Sequence, residues 1–215
     1  MTTYSVKEIY YTLQGEGAHT GRPAVFLRFT GCNLWSGRVE HREQAVCRFC
    51  DTDFVGVDGQ GGGKFESAEG LAVAVADCWG AMNPDVRPYV VCTGGEPLLQ
   101  LDESAITALH DAGFEIGVES NGTIEAPDGI DWLCVSPKGS AVLAQLSGDE
   151  LKLVYPQDED DAQPTKFEHL PFRHFFLQPL DSPLRDENTR LAVDYCKQNP
   201  RWKLSVQTHK YLGLN

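Results

Sequence analysis

Short apolar runs recur along the chain at 24–29, 89–92, 114–118, 132–135, 151–155, 175–177 and 204–206. Each is brief enough for a strand and too continuous for one with a solvated face. Between several of them the apolar residues return at helical spacing. Leu71, Val75, Cys78, Trp79 and Met82 fall on one helical face after Ser67, whose hydroxyl suits an N-cap. A second helix fits 102–111 and stops at Gly113; a third fits 186–198 and is ended by Pro200. Buried strands alternating with amphipathic helices predict an α/β protein whose parallel sheet is covered by helices.

Polar residues gather where these strands give way to loops. Arg28 closes the first run, Thr93-Gly94-Gly95-Glu96 follows the second, and Glu119-Ser120-Asn121, Ser136-Pro137-Lys138, Gln178 and His209 come after later ones. Parallel strands deliver their carboxyl ends to one mouth, where βα barrels carry their chemistry. A closed eight-unit barrel typically takes about 250 residues. The 215 residues here fit an open, partial βα barrel of about six strands better. The glycine run at 59–63 lacks a following Lys-Ser/Thr and reads as a flexible loop rather than a phosphate cradle.

Length and a hydrophobic content of 41% allow one substantial core, so a single domain is expected over 1–215. No apolar run approaches the ~20 residues of a membrane span. The first residues carry Lys7 and Glu8 without the apolar centre of a secretory signal, so the expected location is cytoplasmic. Lysine and arginine number 18 against 31 acidic residues, and 18 − 31 = −13 opposes binding to a nucleic-acid backbone. The run Asp158-Glu159-Asp160-Asp161 reads as a solvated turn. Seven cysteines, an odd number in such a chain, suit metal ligands plus buried thiols better than disulfides. Cys78, Cys92, Cys134 and Cys196 sit in apolar periodic segments and read as core.

The other three, Cys32, Cys47 and Cys50, form C-x14-C-x2-C on a polar loop, 32–50, directly after an apolar strand. Three thiolates leave a metal incompletely ligated. His41 would complete a Cys3His zinc site of the structural kind. A cubic iron–sulfur cluster held by three cysteines instead keeps one iron free for a small molecule. The loop by itself leaves both readings open.

Taken together, Cys47-Arg48-Phe49-Cys50, the preceding Cys32 and the strand-end Thr93-Gly94-Gly95-Glu96-Pro97 resemble the radical S-adenosylmethionine superfamily. The first cysteine gap is longer than that superfamily's usual C-x3-C-x2-C. Adding Leu13-Gln14-Gly15-Glu16-Gly17, Cys50-Asp51-Thr52, Glu119-Ser120-Asn121-Gly122, Ser136-Pro137-Lys138 and His209-Lys210-Tyr211-Leu212, the chain resembles the 7-carboxy-7-deazaguanine synthase family over nearly its whole length. The resemblance implies a carbon–nitrogen lyase that converts 6-carboxy-5,6,7,8-tetrahydropterin to 7-carboxy-7-deazaguanine with loss of ammonia, on the route to queuosine. It also implies a homodimer and an external electron donor such as a flavodoxin or ferredoxin.

By the same resemblance, Cys32, Cys47 and Cys50 hold a [4Fe–4S] cluster whose open iron takes S-adenosylmethionine. Gly94 and Gly95 let the backbone approach that cofactor, and Glu96 offers a carboxylate to its ammonium. Phe49, Cys50, Asp51, Glu119, Ser136, Pro137, Lys138, Gln178, Pro179, Leu180 and Asp181 are implied as further cofactor contacts. Leu13, Gln14, Gly15 and Glu16 are implied at the pterin edge, with Arg28 forking onto the substrate carboxylate and Thr93 and His209 completing the pocket. Thr52 is implied as a ligand of Mg2+, a cation that prefers oxygen. Asn215 is implied at the substrate through the chain end. Two other readings stay open: an enzyme installing a glycyl radical on a partner protein, and a zinc-stabilised interaction domain.

Overall fold

A computed structural model describes residues 2–80 and 86–214. The chain enters as β1 (Tyr4–Leu13), reverses into β2 (Pro23–Phe29) and, after the cysteine loop, adds a short strand β3 (Gly63–Phe65). Helices and strands then alternate as α1 (Ala68–Trp79), β4 (Tyr89–Gly94), α2 (Glu103–Asp111) and β5 (Glu115–Ser120). Three strands follow, β6 (Trp132–Val135), β7 (Gly148–Tyr155) and β8 (Phe172–Pro179), and then α3 (Arg185–Gln198), β9 (Trp202–Leu204) and the short α4 (Thr208–Leu212).

The nine strands of the described residues join one sheet in the order β3-β1-β2-β4-β5-β6-β7-β8-β9. From β2 to β9 every neighbouring pair is parallel, while β1 runs antiparallel to β2 and β3. The expected α/β sheet with parallel strands is present, but seven strands run parallel instead of about six. Two antiparallel strands extend it, and β3 and β9 are its unjoined edges, so the sheet is open.

β1 went unread because Lys7 and Glu8 break its apolar pattern. The structure accommodates both. The register shifts between Val6 and Glu8, Lys7 donates to the Val55 carbonyl and pairs with Asp53 and Asp58, and Glu8 takes the Arg28 guanidinium. The glycine run is likewise no loose loop. Gln60 and Lys7 carbonyls take the amides of Ile9 and Gly59, and a Cβ on Gly62 would strike the Lys7 carbonyl. The last strand sits two residues earlier than expected because Trp202, not Leu204, is the buried member.

The helices begin where capping chemistry places them. The Ser67 hydroxyl accepts the Gly70 amide at 3.1 Å, and Asp102 accepts both the Ala105 amide and the Tyr4 hydroxyl. Met82, assigned to the first helix, lies outside the described residues. Leu71, Val75, Ile106 and Ala192 bring α1, α2 and α3 onto the same core as Val90, Ile116, Leu151 and Leu153 of the sheet. Cys92 and Cys134 are buried, and Cys78 and Cys196 are half-buried against that core. Asp158, Asp160 and Asp161 face solvent as expected, while Glu159 of the same run is half-buried.

Candidate active site

Where the parallel strands end, their side chains and exit loops enclose a cavity of about 400 Å³. Arg28 from β2, Thr93 and Gly94 from β4, Glu119 from β5 and Gln178 with Pro179 from β8 line it. Gly95, Ser136 and Lys138 contribute from exit loops, as do Leu180 and Asp181. The end of β1 supplies Leu13, the segment after it Gln14, Gly15 and Glu16, and His209 enters from α4. Chain segments far apart in sequence thus share one chamber.

An ionic cluster forms one wall. Lys152 Nζ lies 2.7 Å from Glu16 Oε2 and 2.7 Å from Glu119 Oε2. Gln178 and Gln207 each donate to Glu16 Oε1 at 3.1 Å, and Gln14 donates to Glu119 Oε1 at 3.2 Å. Burial works to raise the Glu16 pKa, but the Lys152 charge and the donors around it prevail and hold it down at about 2. Burial likewise opposes the charge of Lys152, and the facing acids more than offset it, raising its pKa well above the ordinary lysine value. His209 is pushed down by burial, which favours the neutral imidazole near pH 7.

Arg28 is held from two sides, with Nε on Glu8 at 2.7 Å and Nη2 on the Tyr10 hydroxyl at 2.9 Å. It has the structural acid partner that an arginine in an apolar strand needs, and it still faces the cavity.

Cys32, Cys47 and Cys50 all line the same chamber, beside Phe49, Asp51 and Thr52. The Leu34 amide donates to Cys32 Sγ at 3.4 Å. A hydrogen bond from Cys47 lowers the Cys50 pKa to about 6, against the effect of burial. The same hydrogen bond, together with burial, pushes the Cys47 thiol up, and the Lys138 charge only partly opposes this. Among the described residues no three His, Cys, Asp or Glu side chains converge tightly enough to hold a single metal ion. His41 does not join the three thiols. Its Nδ1 lies 2.8 Å from the Ser36 hydroxyl, away from the cavity.

The long cysteine gap has a structural content that sequence reading missed. Its 3-10 turn, Val39–Gln44, presents Arg42, which donates to the Arg48 and Cys50 carbonyls at 2.7 and 2.9 Å and lies over the Trp35 ring. Trp35, Ala45 and Phe54 form a small core under Cys32 and Cys50. The inserted residues brace the loop that bears the thiols.

Glu96 differs from expectation. It is fully buried and does not line the cavity. Its carboxylate accepts the Leu98 amide and Ser120 hydroxyl at 3.0 Å and the Asn121 amide at 2.7 Å. It therefore props the end of β5 instead of presenting a free carboxylate to an ammonium. Pro137 is also buried and off the cavity wall. Asn215 lies outside the described residues.

Lys152 and Lys210 were not foreseen. Lysine inside the apolar run Leu151-Lys152-Leu153-Val154 is the signal that marked the first, since a buried ammonium requires acids. Lys210 bridges Asp51 on the cysteine loop and Asp181 after β8. That contact ties α4 across the cavity mouth.

An open, largely parallel sheet with three unpaired thiols beside a polar chamber at its strand ends defines the class: an enzyme of the radical S-adenosylmethionine type. Comparison with known proteins is more specific. The 7-carboxy-7-deazaguanine synthase of Caulobacter vibrioides is 64% identical over 212 residues, covering 99% of both chains. That of Bordetella pertussis is 61% identical over 98% of this chain and 99% of its own. The crystal structure of QueE from Escherichia coli superimposes with a TM-score of 0.72 at 29% identity, covering 96% of this chain and 95% of that one. No protein-family model matches the chain. The chain belongs to the 7-carboxy-7-deazaguanine synthase family.

Proposed function

We propose that this protein is a radical S-adenosylmethionine lyase that converts 6-carboxy-5,6,7,8-tetrahydropterin to 7-carboxy-7-deazaguanine with loss of ammonia, in queuosine biosynthesis. The observation that carries this reading is a single chamber shared by three cysteine thiols and the polar set Gln14, Glu16, Arg28 and His209. Such a chamber would bring an oxidisable small molecule against a thiolate-held cluster. We read the open sheet as a partial barrel and residues 1–215 as one domain with a cluster-binding loop at 32–50.

Cys32, Cys47 and Cys50 hold the [4Fe–4S] cluster. When bound, the cluster and S-adenosylmethionine supply the electron transfer and the hydrogen abstraction at substrate C6. Phe49, Asp51, Gly94, Gly95, Glu119, Ser136, Lys138 and Gln178 to Asp181 seat that cofactor, with Pro137 shaping its loop. Glu96 supports the cofactor side by fixing the backbone at Asn121. Charged Glu16 accepts from the donor-rich pterin edge, and Gln14 offers both an acceptor and donors. Arg28, already oriented by Glu8 and Tyr10, pairs with the substrate carboxylate. Leu13, Gly15 and Thr93 complete the pocket. Neutral His209 contributes a hydrogen bond without adding charge. Thr52 would share Mg2+ with that carboxylate, and Asn215 would reach the substrate through the chain end. A flavodoxin- or ferredoxin-type donor, a homodimer and a cytoplasmic setting complete the reading. Among the described residues no helix is long and apolar enough to cross a membrane.

Anaerobic reconstitution tests it. Four irons per chain, retention of iron in His41→Ala, and a deazapurine formed from the carboxylated tetrahydropterin are expected. Zinc in place of iron, or an intact cluster that yields no deazapurine, would reject it.

A further inference from the structure

We propose that Lys152 is a positioning residue, a single cation that keeps Glu16 and Glu119 side by side as charged acceptors and so links the pterin wall of the chamber to its cofactor wall. The inference rests on the function proposed above and adds to that site a residue with no assigned role.

Lys152 occupies the middle of β7, where alternation sends Leu151 and Leu153 into the hydrophobic core and the lysine to the opposite face. The residue is only 4% exposed. A buried ammonium persists only with acids against it, and it has two, each at 2.7 Å and each from a different part of the chain. Glu16 follows β1, whereas Glu119 lies in β5. The remaining oxygen of each carboxylate is also held, by Gln178 and Gln207 on Glu16 and by Gln14 on Glu119. These partners are all neutral. Among the described residues, Lys152 is thus the one cation bonded to either acid.

The other titratable groups facing this cluster do not replace that cation: His19 is lowered by burial, which favours the neutral imidazole, and Tyr89 is raised by burial and stays neutral. Glu150, also on β7, is itself an acid, accepts the Ala18 amide and has its pKa raised by burial. Cys134 on β6 is raised well above the ordinary thiol value by burial and stays neutral. His209 on α4 is lowered by burial and adds no charge near pH 7. Glu16 and Glu119 are half-buried and meet the same ammonium, so removing it leaves their like charges facing each other and favours a proton on Glu16. An acceptor facing the pterin would then become pH-dependent.

The test measures binding of fully oxidised carboxypterin, which cannot react, to the reconstituted holoenzyme between pH 5.5 and 7.5. The unsubstituted protein is expected to bind with affinity constant to within about twofold, because Glu16 remains ionised throughout. Lys152→Met is expected to lose roughly tenfold in affinity as pH falls across that range. Lys152→Gln, which keeps a donor but not the charge, is expected to behave likewise and serves if the methionine variant does not fold. Adding Glu119→Gln to either variant should move the acid limb down by at least about one pH unit, because the like charge is gone. A lysine role confined to packing would produce neither the acid limb nor its relief. Constant binding by the single variants, or a limb unmoved by Glu119→Gln, overturns the proposal. Failure of the unsubstituted protein to bind at any pH overturns the proposed function together with it.

Discussion

Arg28 and Glu8 face each other across the β1–β2 pair, with the guanidinium Nε 2.7 Å from the carboxylate. Tyr10 takes a second donor at 2.9 Å, so the plane of the guanidinium is set before any substrate arrives. A lysine cannot reproduce that fork. Arg28→Lys is expected to raise KM for the carboxylated tetrahydropterin about tenfold to a hundredfold, with iron content unchanged. Glu8→Gln should give a smaller rise, because it loosens the arginine without removing it. Steady-state kinetics at saturating S-adenosylmethionine would measure both. An unchanged KM in Arg28→Lys would mean that Arg28 serves β1 alone.

Glu96 makes three hydrogen bonds and shows no exposure. Removing its carboxylate leaves two buried amides and a hydroxyl without that acceptor, at about 1–3 kcal/mol. Glu96→Ala should therefore lower the unfolding midpoint and also weaken S-adenosylmethionine, through a shift of the Ser120–Asn121 turn. Ser120→Ala removes only one of the three bonds and should show a fraction of both effects. Denaturant titration beside equilibrium binding separates this role from a direct contact. A Glu96→Ala protein that is fully stable yet binds no cofactor would point to direct contact instead.

Much of this arrangement was legible in the chain. Apolar runs and the Ser67 cap located the helices and most parallel strands, because burial and capping act over a few residues, while Asp102, read as the first helical residue, is the cap of α2. The strand-end clusters marked the chamber, since parallel strands present those ends together. β1 was hidden because Lys7 and Glu8 are satisfied by Asp53, Asp58 and Arg28, partners remote in sequence. The same non-local pairing concealed Lys152, and the Arg42 brace was hidden because its partners are backbone carbonyls and a ring within an irregular loop. Glu96 was placed correctly on its loop, but its orientation depended on amides that only the folded chain brings to it.

Glu16 makes part of the stability pH-dependent. Its pKa is about 2 in the folded protein against an ordinary 4.5, so it is depressed. The contribution is whole above about pH 4.5, shrinks as pH falls, and is gone below the folded value. The full shift corresponds to about 3 kcal/mol. Glu16→Gln should remove this dependence, flattening the loss of stability between pH 4.5 and 2.5. Urea unfolding at several pH values would follow it. Curves for the two proteins that stay parallel through that window would show that Glu16 does not carry the effect.

Gly15 is where the chain near α4 meets the substrate wall. Its carbonyl accepts both the amide and the hydroxyl of Thr208 at 2.9 Å. The next residue, His209, lies so close that a Cβ on Gly15 would collide with its imidazole. The methyl group of Gly15→Ala therefore has to displace a side chain at the edge of the cavity, not the backbone of the sheet. KM for the pterin is expected to rise about tenfold, while stability changes by less than about 1 kcal/mol. His209→Ala should raise KM similarly. Because the alanine at 209 removes the ring that the new methyl would strike, the double variant should be no worse than His209→Ala alone. Additive effects would instead place the Gly15 contribution in its own contact with substrate, independent of the histidine.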